Sequence, residues 1–154
     1  MPALFTKGDL FAVPDISAYA HGCNCAGAMD AGVSAAFKKR WPRMFEDYEK
    51  HCQDGRFRLG DVLVWNEGSE VIYSLGIQEH WKKKAKLAAL TRALRKVAEL
   101  AAHAGIERVG LPRIGTGLGG LDWPRVKSVL EDVAAETTVT FVVFEQFVRA
   151  PTGP

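Results

Sequence analysis

Leu111-Pro112-Arg113-Ile114-Gly115-Thr116-Gly117-Leu118-Gly119-Gly120-Leu121-Asp122-Trp123 decides how this chain is read. Four glycines fall within six residues, an apolar run from Val109 to Leu111 leads in, and an amphipathic segment follows from Trp123. The pattern predicts a strand, a glycine loop and a helix. Glycine removes the Cβ that would hold the backbone away from a ligand, and it permits φ > 0. Successive N–H groups can then point into one concavity with a helix N-terminus behind them, which suits an anion, above all a phosphate. No Gly-Lys-Ser/Thr follows, so this is not a Walker loop. It also lies too late to be the dinucleotide fingerprint of a first βαβ unit. Taken alone, it reads equally well as a glycine-rich strand-to-helix turn.

A second small-residue stretch tips that balance. Ala18-Tyr19-Ala20 runs into His21-Gly22-Cys23-Asn24-Cys25-Ala26-Gly27-Ala28-Met29-Asp30-Ala31-Gly32-Val33. Val33, Ala36, Phe37 and Trp41 then share one helical face, with Lys38, Lys39 and Arg40 near the C-terminal end, where the dipole favours cations. Pro42 restarts a helix through Met44, Phe45 and Tyr48. Strands are expected at Leu4–Lys7, Val62–Trp65, Glu70–Leu75, Val109–Leu111 and Val139–Phe144, with a loop from Gly76 to Trp81. Leu87, Leu90, Leu94, Val97 and Ala101 mark a long helix from about Lys84 to Ala104. Strands alternating with helices, several of them apolar throughout, predict an α/β fold: a mixed, mostly parallel sheet of about six strands with helices on both faces. In such sheets ligands bind beyond the carboxyl ends of the strands. Both small-residue loops follow strand ends, so they can face one crevice and clamp a diphosphate.

The chain as a whole sets wide bounds. Its 154 residues suit one domain, expected over 1–149 with a frayed tail at 150–154. It is 47% hydrophobic and 25% charged with net charge +2, too mild a balance to argue for nucleic acid by itself. No apolar run is long enough to span a bilayer, and Met1-Pro2-Ala3-Leu4-Phe5 lacks the basic region and apolar core of a signal peptide. Cys23, Cys25 and Cys52 are odd in number, and Cys23 and Cys25 are too close for a mutual disulfide or a zinc site. These features predict a reduced, cytoplasmic, monomeric chain with no membrane contact, no metal and no cofactor.

With Lys7-Gly8-Asp9-Leu10, His21-Gly22-Cys23-Asn24, Ala31-Gly32-Val33, Phe37-Lys38-Lys39-Arg40-Trp41-Pro42 and Pro112-Arg113-Ile114-Gly115-Thr116-Gly117-Leu118 in this order, the chain resembles a macrodomain, the ADP-ribose-binding module. The resemblance covers nearly the whole chain. It is nearest the bacterial-type branch of terminal ADP-ribose glycohydrolases and DNA-de-ADP-ribosylating antitoxins. The His21–Cys25 segment also resembles ADP-ribose 1″-phosphate phosphatases of the yeast type. The resemblance implies a three-layer α/β/α fold and a role for particular residues. Asp9 would accept the adenine amino group beside Leu10, and Phe144 would stack on the ring. Gly115, Thr116, Gly117, Leu118 and Gly119 would cradle the phosphates. Asn24 and the loop through Ala31, Gly32 and Val33 would surround the distal ribose, with Gln78 and His80 beside it. The partner would be ADP-ribose, or a protein or nucleic acid that carries it.

Two departures matter. That branch uses a lysine just after the Val71–Leu75 strand, where Gln78 stands here, and an aspartate where Gly119 stands. The catalytic candidates that remain are His21, Asn24 and Asp30. Each has a plainer reading: a core histidine, a turn residue and a solvated loop carboxylate. Cys23 and Cys25 read as small packing residues. Lys82, Lys83 and Lys84 read as a solvated segment. An ADP-ribosyl hydrolase, or an ADP-ribose 1″-phosphate phosphatase, is thus set against a reader that binds ADP-ribose without turnover.

Overall fold

The computed structural model describes residues 1–148, with the Phe147 side chain excepted; the expected frayed tail at 150–154 lies outside the described residues. The strands are β1 (Leu4–Gly8), β2 (Ala18–Asn24), β3 (Val62–Glu67), β4 (Glu70–Gln78), β5 (Arg108–Pro112) and β6 (Thr140–Phe147). The helices are α1 (Gly32–Arg40), α2 (Pro42–Gln53), α3 (Leu87–His103) and α4 (Trp123–Ala135). A single 3-10 turn, Leu10–Ala12, follows β1. The six strands form one sheet in the order β1-β6-β5-β2-β4-β3. All neighbours are parallel except β3 and β4, an antiparallel hairpin turned at Gly68-Ser69.

Side chains alternate across a strand, and this divides the core in two. Ala18 and Ala20 of β2, Leu75 of β4, Leu111 of β5 and Phe141 of β6 face Leu90, Leu94 and Val97 of α3 and Val126 and Leu130 of α4. Tyr19 and Cys23, Ile72, and Val142 and Phe144 face the other way, against Phe37 and Trp41 and then Met44 and Tyr48 of α2. The result is the expected three-layer α/β/α arrangement. Each large apolar side chain buried in either layer is worth about 1.5–3 kcal/mol.

Proline sets the break between α1 and α2. Trp41 leaves helical geometry at φ −128°, ψ 74°, and Pro42 begins α2 at a position whose N–H has no helical partner in any case. Trp41 is held there by its Nε1–H, which donates to Glu70 Oε1 at 3.2 Å.

One boundary differs from the sequence expectation with consequences for function. The segment Gly76–Gln78, expected as loop, continues β4. Gly76 sits in the strand because Arg58 O comes so close that a Cβ would lie 2.5 Å from it. The long helix accordingly begins at Leu87, and residues 79–86 form an irregular segment over the strand ends. Among the described residues no helix is long and apolar enough to cross a membrane.

Candidate functional site

The ends of β2, β4, β5 and β6 open on a cleft of about 590 Å³. Its walls are the loop after β2, the glycine loop after β5, Gln78 at the end of β4 with Trp81 beyond it, and Phe144 and Glu145 of β6. A larger groove of about 930 Å³ lies between residues 56–63 and α3. It is rimmed by exposed Arg56, Arg92, Arg95 and Lys96, of which Arg95 already pairs with Glu136 at 3.4 Å. No strand-to-helix loop enters that groove, so the smaller cleft is the candidate site.

The glycine loop is shaped by its own backbone. Gly115 adopts φ +80°, the left-handed region open to glycine, and Leu121 N donates to its carbonyl at 2.9 Å. Gly119 packs so tightly that a Cβ would meet Gly115 O at 2.6 Å. Gly120 N donates to Gly117 O at 3.1 Å, and Ala85 N donates to Gly119 O at 2.8 Å, fastening the loop to the segment before α3. The N–H groups of Gly115, Thr116, Gly117, Leu118 and Gly119 donate no hydrogen bond among the described residues. A run of backbone donors left open at a strand end is the signature of an anion cradle.

The facing loop is shaped by side chains. Asn24 Oδ1 accepts from Ala26 N (3.0 Å) and Ala28 N (3.2 Å), and its Nδ2 donates to Ala28 O (2.9 Å). The Tyr48 hydroxyl donates to Asn24 O at 2.6 Å and lies 2.9 Å from Oδ1. Asn24 is thus the hub that folds residues 25–28. α1 begins at Gly32 with φ +57° and no side-chain cap, so the N–H groups of its first turn face the same cleft as the glycine loop.

The structure places the other candidates unevenly. His21 is 1% exposed, stacks on Phe37 with ring centroids 4.0 Å apart, and has Nε2 2.8 Å from Ser74 Oγ. Burial lowers its pKa to about 3, which keeps the ring neutral; it packs toward α1 and α2 and also lines the cleft beside Gly22. The Asp30 carboxylate stands on the cleft rim, 75% exposed and 3.5 Å from Lys38 Nζ. Ala31, Gly32 and Val33 line the cleft, as do Gly115 to Gly119 and Phe144. Asp9 and Leu10 do not line it. Asp9 Oδ1 accepts from Phe11 N at 2.9 Å, capping the 3-10 turn, and Leu10 is fully buried against Gly110 and Ile16. Both follow the end of β1, one strand beyond Phe144. His80 stands outside the cleft lining, stacked at 3.6 Å on Trp81, and it is Trp81, 43% exposed, that forms the wall. Gln78, by contrast, lies at the cleft floor with little exposure.

Arg113 and Glu145 line the cleft without having been expected there. Arg113 lies over the Trp123 ring at 5.1 Å, and Trp123 Nε1 donates to Glu145 Oε2 at 2.9 Å. That hydrogen bond, with Lys127 nearby, holds the Glu145 carboxyl below its usual range. No local pattern marks these two residues, because α4 brings Trp123 to them from outside both strands. All three cysteines are unpaired. Burial pushes the Cys23 thiol up and the Cys25 thiol up to about 12, so neither is a ready thiolate nucleophile. Among the described residues no group of three or more His, Cys, Asp or Glu could hold a metal ion.

The profile of the Macro domain family matches residues 20–130. The chain is 33% identical over 130 residues to the DNA ADP-ribosyl glycohydrolase of Mycobacterium tuberculosis, an alignment covering 82% of this chain and 37% of that relative's length. It is 29% identical to the ADP-ribose 1″-phosphate phosphatase of Neosartorya fischeri, covering 86% of this chain and 90% of that one. Among solved structures, the macrodomain of Mycobacterium tuberculosis DarG superposes with a TM-score of 0.83 at 30% identity, covering 97% of this chain and 99% of the other.

Proposed function

This chain belongs to the Macro domain family, and from that premise we propose that it binds ADP-ribose along the strand-end cleft and removes an ADP-ribosyl group from a modified macromolecule. The observation that carries the reading is the run of N–H groups from Gly115 to Gly119 with no partner among the described residues, lining the same cleft as the N-terminus of α1. A diphosphate satisfies those donors.

Strand order then supports an orientation. The β1 and β6 ends, with Asp9 and Phe144, take the adenine. The β5 and β2 loops take the diphosphate. The β4 end, with Gln78 and Trp81, takes the distal ribose. Trp81 and the exposed Lys82, Lys83 and Lys84 stand at that end, an aromatic beside cations, which suits a nucleic-acid strand. The printed activity of the Mycobacterium tuberculosis relative, on DNA, favours the same class of substrate.

Hydrolysis at the anomeric carbon adds water, breaks the bond to the leaving group and moves one proton to that group. Asp30, the carboxylate of the loop after β2 that lines the cleft, carries the proton step in this reading. A second reading, binding without turnover, is favoured by the placement of His21 in the core and of Asp30 toward solvent. The cleft is complete within one chain, which supports action as a monomer, and three unpaired cysteines suit a reducing cytoplasm.

The deciding experiment incubates the protein with ADP-ribosylated DNA, ADP-ribosylated protein and ADP-ribose 1″-phosphate and follows release. Release of ADP-ribose from DNA is expected. Micromolar ADP-ribose binding with no release from any of the three selects the reader.

A further inference from the structure

Charge is spread unevenly along this chain. Residues 79–99 hold seven lysines and arginines and two glutamates, a net of +5, in a chain of net charge +2, so the remaining residues come to −3. The cations begin at Lys82, Lys83 and Lys84 and continue through Lys86 onto α3 as Arg92, Arg95 and Lys96, all of them exposed. Spacings of three and four residues put Arg92, Arg95 and Lys96 on one face of the helix.

Intramolecular pairing does not account for these charges. Lys83 Nζ pairs with Glu79 at 2.9 Å and Arg95 with Glu136 at 3.4 Å. Lys82, Lys84, Lys86, Arg92 and Lys96 form no salt bridge among the described residues. α3 starts after Lys86 with no side-chain cap and no acidic residue in its first turn, so the lysines crowd the end where the helix dipole repels them. Arg92 and Lys96, four residues apart, add like-charge repulsion. Arg92 is nonetheless held in place. Its stem lies across Gly60, where a Cβ would meet Cδ at 2.8 Å, on the wall of the larger groove. No large apolar side chain of α3 is exposed, so the face does not suit a membrane surface or an apolar partner.

The cations are also continuous with the cleft. Lys86 N donates to Ile77 O at 2.7 Å, beside Gln78 at the cleft floor, and Gln78 Nε2 donates to Leu118 O of the glycine loop at 3.3 Å. Gly60 N donates to Gly76 O at 2.7 Å. The start of α3 and the loop that seats Arg92 are thus both hydrogen-bonded to the end of β4, next to the Trp81 wall of the cleft.

Resting on the ADP-ribose reading and reaching outside its cleft, we infer that the exposed face of α3 from Lys86 to Lys96 is a phosphate-backbone track for nucleic acid, along which a modified strand leads away from the β4 end of the cleft. Cations without acidic partners meet a row of phosphates there, and Trp81 at the head of the row offers a ring on which a base stacks. Backbone contacts position a strand without reading its sequence. Unmodified nucleic acid therefore binds this face without any ADP-ribosyl group.

The test measures binding of a short, unmodified, fluorescent single-stranded DNA by anisotropy over a series of salt concentrations, with ADP-ribose binding followed by calorimetry. The wild type is expected to bind the DNA, more weakly as salt rises. Arg92→Gln/Lys96→Gln should weaken DNA binding about tenfold and lower the slope of log affinity against log salt by about 1.4, the loss of two phosphate contacts at about 0.7 each. Its ADP-ribose affinity should stay within about twofold, because neither residue lines the cleft. Lys39→Gln/Arg43→Gln removes the same charge from exposed positions on α1 and α2 and should keep DNA affinity within about twofold. Three outcomes overturn the inference and leave the ADP-ribose reading standing: no DNA binding by a wild type that binds ADP-ribose, equal DNA affinities in the two double variants, or displacement of the DNA by polyglutamate as readily as by unlabelled DNA of equal charge. A wild type that fails to bind ADP-ribose overturns the reading itself.

Discussion

The loop after β2 and the loop after β5 face each other across one cleft, yet they are held by opposite means. Residues 25–28 are folded around a side-chain hub in which Asn24 and Tyr48 satisfy the local backbone. Residues 115–120 have no such hub of their own. Their shape comes from glycines and from backbone bonds to Ala85 and within the loop, with Gln78 as the side chain that reaches in. The first loop has its nearest N–H groups occupied by Asn24; the second leaves a run of them open. The two can therefore divide the work, with the first setting the width of the cleft and the second binding charge.

Four experiments break or sharpen that contrast. The largest effect belongs to Gly117→Glu. A Cβ at Gly117 meets nothing within 4 Å, so the variant folds, but its carboxylate enters the phosphate position. ADP-ribose affinity should fall by at least ~10³-fold, since like charges brought together cost several kcal/mol. Calorimetry showing parental affinity would mean that the loop does not hold the diphosphate.

Asp30→Ala comes next. Turnover of the ADP-ribosylated substrate should fall by about 10²-fold, the low end for loss of a general acid or base, while ADP-ribose affinity changes little. Single-turnover rates matching those of the parent would remove the β2 loop from the chemistry altogether.

Asn24→Ala attacks the hub. It leaves Ala26 N and Ala28 N short of an acceptor, while the Tyr48 hydroxyl keeps the main-chain carbonyl of residue 24, at a cost in unfolding free energy of about 2–3 kcal/mol. Tyr48→Phe, which removes one donor, should cost about 1 kcal/mol. Urea denaturation of both variants checks the order. Were Tyr48→Phe the more damaging, the hub would be the tyrosine.

The last test is a pH dependence under the same loop. Folded His21 titrates near 3, below its unfolded value of 6.5, so the unfolded chain binds the extra proton. This contribution is whole above pH 6.5 and is lost as the pH falls toward about 3, at up to about 1.4 kcal/mol per pH unit. Unfolding free energies between pH 7 and 5 should decline less steeply in His21→Gln than in the wild type. Parallel slopes would mean that the ring reaches solvent and is again a candidate acid or base.

How much of this was legible beforehand depended on distance along the chain. Gly115 to Gly119 could be read from composition, because a glycine run between a strand and a helix opens conformations and a close backbone approach that other residues forbid. The helix faces built on Phe37 and on Leu90, Leu94 and Val97 followed from their spacing. The end of β4 did not, because Gly76 reads as a breaker until Arg58 O is seen to press against it. His21 could be placed in an apolar strand, but not on a face of it. Its stacking on Phe37 and its bond to Ser74, 53 residues away, decide that it is core.

The sequence by itself determined the alternation of strands and helices, the two small-residue loops at strand ends, and the family likeness those loops carry. These are local properties, set by the period of apolar residues and by what a missing Cβ allows. Only the tertiary structure decided what each polar side chain does. Asn24 became a hub because α2 brings Tyr48 beneath it, and Gln78 became a staple because the glycine loop, 40 residues on, folds over the end of β4. A hydrogen bond needs its partner within about 3 Å, and periodicity says which way a side chain points without saying what it meets there.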